Sequence, residues 1–132
     1  MDIEWVRKMC TALPHATENV HWEDDLVFKV GGMMFGVVTL EPAPVWMSFK
    51  CTPEDFAELV ERPGIIPAPY LARAHWVALQ TPNAMPPGEL QRLLERAHEL
   101  VLAKLPKKKQ AALKTRSSVA NRRRRTDSPA KI

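Results

Sequence analysis

Two constellations in this chain carry residue types and spacings that do chemistry elsewhere in proteins. The first is acidic: Glu18, His21, Glu23, Asp24 and Asp25 crowd carboxylates around one imidazole. Hard oxygens at that density collect cations weakly, but the spacing matches no defined calcium or zinc loop. A solvated acidic link is therefore the expected reading, with no metal and no other cofactor. The second is basic. Lys107, Lys108 and Lys109 are followed by Arg122, Arg123, Arg124 and Arg125, with no aromatic residue among them. Runs of this kind neutralise phosphates, giving affinity that falls with salt and ignores base sequence. Earlier in the chain, Lys29, Lys50, Arg73 and His75 lie among Trp46 and Trp76, a mixture of cations and stacking rings that suits a nucleic-acid strand. Trp76 itself is expected to be core, since Trp is usually well buried.

An enzyme of the nucleophilic or acid/base kind needs a nucleophile, a base and an orienting group, and no such set is recognisable. Cys10 falls on the apolar stripe of a helix and Cys51 at the end of a strand, in no Cys-x-x-Cys or Cys/His spacing. Both read as small hydrophobes. Gly31 and Gly32 lie between two strands rather than before a helix, so they form no phosphate loop. The chain reads as a non-enzyme that binds DNA.

Charge is divided unevenly along the 132 residues. Residues 1–105 hold nine Lys/Arg against fourteen Asp/Glu, a net −5, whereas 106–132 hold ten against one, a net +9. The expected organisation is one α+β domain over 1–105 and a basic, disordered tail over 106–132, because the tail has too little apolar surface to offset its ordering entropy. An apolar fraction of 45% and a charged fraction of 26% exclude fibrous and wholly disordered classes. The N-terminus lacks a basic start with an apolar run behind it, and Val30–Leu40 falls well short of the roughly 18 residues of a membrane span. A cytoplasmic protein with no membrane partner is expected.

The elements that must position these residues follow from periodicity. Ile3, Val6, Cys10 and Leu13 recur at helical spacing behind an Asp2 cap and before Pro14. After a polar link from His15 to Asp25, three β-type runs, 26–30, 34–40 and 45–50, form a meander whose first turn is Gly31-Gly32. Thr52 caps a second helix with Pro53 at its first position. Residues 65–73, with Pro67 and Pro69, predict an extended connection, and 75–80 a fourth strand. Leu90, Leu93, Leu94, Ala97, Val101 and Leu105 stripe the last helix. The order α-β-β-β-α-β-α suits a two-layer α+β sandwich, an antiparallel sheet with helices on one face.

In that architecture the far face of the sheet is left open. Alternation through 45–50 puts Val45, Met47 and Phe49 on the core side and Trp46, Ser48 and Lys50 on the open side. The alternative function is therefore a protein- or small-ligand-binding surface lined by Trp46, Lys50, Tyr70 and His75. Open sheet edges also allow pairing between subunits, so a homodimer is open.

Several blocks taken in order resemble the MmcQ/YjbR-like proteins. They are Leu13-Pro14-His15-Ala16-Thr17-Glu18, Trp22 with 24–32, Met34-Phe35, Phe49-Lys50-Cys51 with Thr52-Pro53-Glu54, Pro67-Ala68-Pro69-Tyr70 with His75-Trp76-Val77, and Glu99-Leu100-Val101 with Lys104-Leu105. The resemblance covers residues 1–105. It implies an α+β fold similar to the frataxin/CyaY-like proteins and a DNA-binding role attached to two β-hairpins acting as wings. The wing tips would be Gly31-Gly32 and Pro42-Ala43-Pro44. Met33 stands where the family has a lysine after the paired glycines, and Glu41 flanks the second tip, so both tips have lost positive charge. The frataxin-like fold presents acidic residues near its first helix and strand, so the same resemblance raises iron binding at Glu18, Glu23, Asp24 and Asp25 as a minor alternative to the solvated acidic link.

Overall fold

The computed structural model describes residues 2–21, 24–40 and 44–113. Asp2 starts α1 (Ile3–Thr11) by accepting the Trp5 N–H at 3.0 Å, and Val6 and Cys10 form its buried face. The strands β1 (Ala16–His21), β2 (Asp25–Val30), β3 (Met33–Thr39) and β4 (Met47–Lys50) follow. Then come α2 (Pro53–Leu59), β5 (Ile65–Pro67), a single 3₁₀ turn (Ala72–Ala74), β6 (Trp76–Leu79) and α3 (Pro87–Lys104). The sheet is wholly antiparallel in the order β1-β2-β3-β4-β6-β5. The fold is α+β, as expected, with α3 lying across β2, β3 and β4 and α1 packed on α3 and β1.

The sheet is two strands wider than periodicity predicts, and both additions are edges. Residues 16–21, expected as part of a polar link, pair with β2 without interruption from Ala16 opposite Val30 to His21 opposite Asp25. An edge strand needs little apolar content: Val20 remains 59% exposed, and Glu18, opposite Phe28, is tied to Arg7 of α1. β5 closes the other edge, where the missing N–H of Pro67 removes no bond from the interior of the ladder.

Phe28, Phe35, Met47, Phe49, Leu79, Leu90 and Leu94 fill the space between sheet and helices. Phe35 is the extra residue of a β-bulge opposite Phe28 and Lys29, which turns its ring into the core. There it meets Phe28 at 6.3 Å and the edge of His98 at 5.4 Å. His98 is buried on the core side of α3. Its Nε2 donates to the Pro14 carbonyl at 2.7 Å, which pins the start of β1 to α3.

Packing continues beyond residue 105, where periodicity ends the domain. Residues 107–113 are helical, Leu113 is buried in the main core, and Gln110 donates to the Leu105 carbonyl at 2.7 Å. The residues from 114 onward lie outside those described. Leu105 also seats the β2–β3 turn. A Cβ on Gly31, whose φ is +59°, would stand 2.5 Å from a Leu105 methyl, while one on Gly32 would meet, among the described residues, only the Lys109 Nζ at 3.6 Å. Gly31→Ala thus incurs backbone strain and a clash, and is expected to cost about 2–3 kcal/mol, against about 1 kcal/mol for Gly32→Ala. Urea denaturation of the two variants checks the difference.

Candidate functional site

The open face of the sheet is only partly open. The connection from Pro67 to His75 folds back over it as a flap, pinned where Ala68 donates to the Trp76 carbonyl and Trp76 to the Leu71 carbonyl. Trp76 is buried beneath this flap together with Ala68 and Ala78, as expected for Trp and contrary to a stacking role. Lys50 holds the far end of the flap. It is only 8% exposed, and its ammonium donates to the Ala74 carbonyl at 2.6 Å. Burial, and then the like charge of Lys104, push its pKa below the ordinary lysine value.

Between the flap and strands β2, β3 and β4 lies a groove of about 480 Å³. Met34, Val37, Val45 and Leu71 give it an apolar lining, with Asp25 and Ser48 as polar members. Burial, and then the charge of neighbouring Asp24, raise the pKa of the Asp25 carboxyl above the usual carboxylate value. Tyr70 stands at the mouth, fully exposed, with a left-handed backbone at φ 66°; His75, at the other end of the flap, has φ 61°. Non-glycine residues in this region cost about 1–2 kcal/mol each, so two of them bracketing one short connection mark it as a strained segment.

Of the residues proposed for ligand binding on this face, the structure brings only Tyr70 to the groove. Trp46 lies on the opposite side, packed on the main core, and Val45 takes its place. Regular alternation begins only at Met47. Lys50 is committed to the flap, and His75 sets its ring edge-on to Phe56 of α2 at 5.6 Å. Asp25, Met34, Val37 and Ser48 complete the groove; Ser48 was legible from alternation, but Met34 depends on the bulge.

The proposed nucleic-acid contacts are dispersed. Lys29 is half-buried on β2, opposite Thr17 and Met34. Arg73 is exposed on the 3₁₀ turn, and Lys50 is buried with its ammonium against the Ala74 carbonyl. Lys107, Lys108 and Lys109 are exposed on the helical segment after α3. Lys109 there lines a depression of about 490 Å³ with His15, Thr17, Gly31 and Gly32. Positive charge thus returns, from the C-terminal segment, to the tip of the first hairpin. Arg122 to Arg125, and Pro42 and Ala43 of the second tip with the flanking Glu41, lie outside the described residues.

The acidic constellation does not converge. Glu18 faces α1, where Arg7 donates to its carboxylate at 2.6 and 3.1 Å and draws its pKa below the usual value. Asp25 faces the groove on the other side of the sheet, and Glu23 lies outside the described residues. Among the described residues no three His, Cys, Asp or Glu form a group able to hold a metal ion. No helix among them is long and apolar enough to cross a membrane.

Cys10 and Cys51 are both buried, and burial pushes each thiol up to about 12. Since the thiolate is the reactive form, neither is expected to react with a disulfide reagent at pH 8 in the native protein. Labelling at the rate of a free thiol without denaturant would contradict this placement.

The comparisons with known proteins agree with this fold. A family model described as YjbR matches residues 11–100. The crystal structure of the Deinococcus radiodurans protein DR2400, with domain DUF419, superposes with a TM-score of 0.73 at 32% identity, covering 82% of this chain and 84% of that one. A Pseudomonas syringae protein solved by a structural genomics consortium has a TM-score of 0.64 at 20% identity, over 76% of this chain and 99% of its own. That second likeness speaks for the fold alone. None of the curated proteins matches the chain. A family match over most of the chain, joined by a 32% identical relative with the same fold, establishes that the chain belongs to the YjbR family.

Proposed function

We propose that this chain is a non-enzymatic, cytoplasmic DNA-binding protein whose affinity is mainly electrostatic, with the basic C-terminal segment as its principal contact. The observation that carries the reading is the segregation of charge, −5 over 1–105 against +9 over 106–132. It is supported by the start of that basic segment, where buried Leu113 anchors a helix that leaves Lys107 to Lys109 in solvent, with Lys109 beside the first hairpin tip. A complex resting on phosphate contacts weakens steeply with salt and discriminates poorly between sequences.

The test is fluorescence anisotropy of a short labelled duplex with the full chain across a salt series. A linear fall of log K with log salt supports the reading, and affinity unchanged from low to near-physiological salt overturns it. Charge substitutions suit this test better than truncation at 105, because truncation would strip Leu113 from the core. A second reading, small-ligand binding on the sheet face, is favoured by one observation, the apolar groove under the strained flap. Its volume lies in the range of ordinary small-molecule sites.

A further inference from the structure

We propose that the groove between the flap and β2–β4 takes a small organic amine, its apolar body lying along Val37, Val45 and Leu71 and its ammonium meeting Asp25. The inference rests on the small-ligand reading and specifies its ligand. Among the described residues lining the groove, Asp25 carries the only charge, and the remaining polar members are hydroxyl or backbone-bearing groups such as Thr39, Ser48 and Tyr70. Asp24 precedes it, so the potential at this end of the groove is negative. Lys29, the cation of the same strand and face, sits four residues along β2, about 13 Å away at ordinary strand rise, and does not line the groove.

An anion would meet repulsion there. A neutral ligand would leave the carboxylate desolvated and unpaired, which is costly. An ammonium supplies a charge-assisted hydrogen bond, which the Asp25 carboxylate receives from none of the described residues. Tyr70 adds an exposed ring at the mouth, on a flap in which Tyr70 and His75 both hold a left-handed backbone. Lys50, through the Ala74 carbonyl, keeps the flap against the sheet without entering the groove. It is a positioning residue.

The test uses the full chain, isotopically labelled, titrated with 2-phenylethylamine, 2-phenylethanol and 3-phenylpropionate, with backbone amide shifts as readout. Saturating shifts at Val37, Ser48 and Leu71 are expected with the amine, at least tenfold weaker binding of the alcohol, and weaker still of the carboxylate. Asp25→Asn, close in shape to the native residue, is expected to bring the amine to the level of the alcohol. Val37→Phe, which narrows the groove, is expected to weaken all three probes. Equal binding of amine and alcohol, or an unchanged amine preference in Asp25→Asn, overturns the amine assignment while the groove still binds. Absence of shifts at the groove residues with every probe at millimolar concentration overturns the small-ligand reading, and the inference with it.

Discussion

Leu94→Ala is expected to destabilise the protein by about 2–5 kcal/mol, at the upper part of that range. Leu94 is 1% exposed on the core face of α3, and its Cδ2 lies 3.9 Å from where a Cβ on Gly36 would be. Gly36 has no side chain to swing into the vacated space, and its backbone is held by β2 on one side and β4 on the other. The cavity therefore cannot collapse without moving the middle of the sheet. The cost of a large-to-small substitution grows with the cavity that remains, which places this site high. Urea denaturation followed by circular dichroism measures it, with half-exposed Leu93→Ala as the comparison, expected at about 1 kcal/mol. A loss under about 1 kcal/mol for Leu94→Ala would mean that α3 presents another face to the sheet.

Simultaneous replacement of Arg122, Arg123, Arg124 and Arg125 by alanine is expected to weaken duplex binding by about a hundredfold or more at near-physiological salt. Each phosphate neutralised contributes about 0.9 to the slope of log K against log salt, so the loss of four contacts should also flatten that slope by about 3–4. Arg122 lies nine residues beyond Leu113, the last described anchor of the core, and an unchanged urea midpoint is the control for folding. The slope separates electrostatics from a general loss of folding. A variant that binds weakly with the wild-type slope would mean that the arginines do not contact phosphate. Lys50→Met is the informative contrast. Its ammonium is already spent on Ala74, so duplex affinity should stay the same while flap amides exchange faster.

The parts of the fold legible in the sequence are those where a local pattern meets a local physical demand. Asp2 and Thr52 cap their helices through side-chain oxygens, at 3.0 Å in each case, and Pro53 opens α2 without losing a bond. Gly31 and Gly32 take the positive φ that a two-residue hairpin turn requires, at +59° and +84°. The apolar stripe of α3 faces the sheet as its spacing demands. The family resemblance, carried by blocks spread over residues 13–105, agrees with the YjbR match over 11–100.

The misplacements each depend on a partner distant in sequence. β1 is polar enough to pass for a link, and it is a strand because β2 offers it a ladder and Arg7 takes the charge of Glu18. Val45 and Trp46 exchange faces because regular alternation starts only at Met47: Trp46 packs on the main core as Met47 does, although its backbone already bonds to Thr39 and Leu79. Lys50 looks like a phosphate contact in any linear reading, and only the flap returning over β4 converts it into a buried strut.

The same division holds for the chain as a whole. By itself, the sequence determined the elements whose periods match helix or strand, the caps and turns that bound them, and the separation of an acidic domain from a basic end. Such features depend on residues within a few positions of one another, where backbone conformation and side-chain spacing act directly. Only the tertiary structure decided the two edge strands, the flap, the apolar groove with Asp25 at its end, and the return of Lys109 to the hairpin tip. Each of these needs groups tens of residues apart to exclude water together, and burial, hydrogen-bond partnership and local charge exist only once the chain has closed on itself.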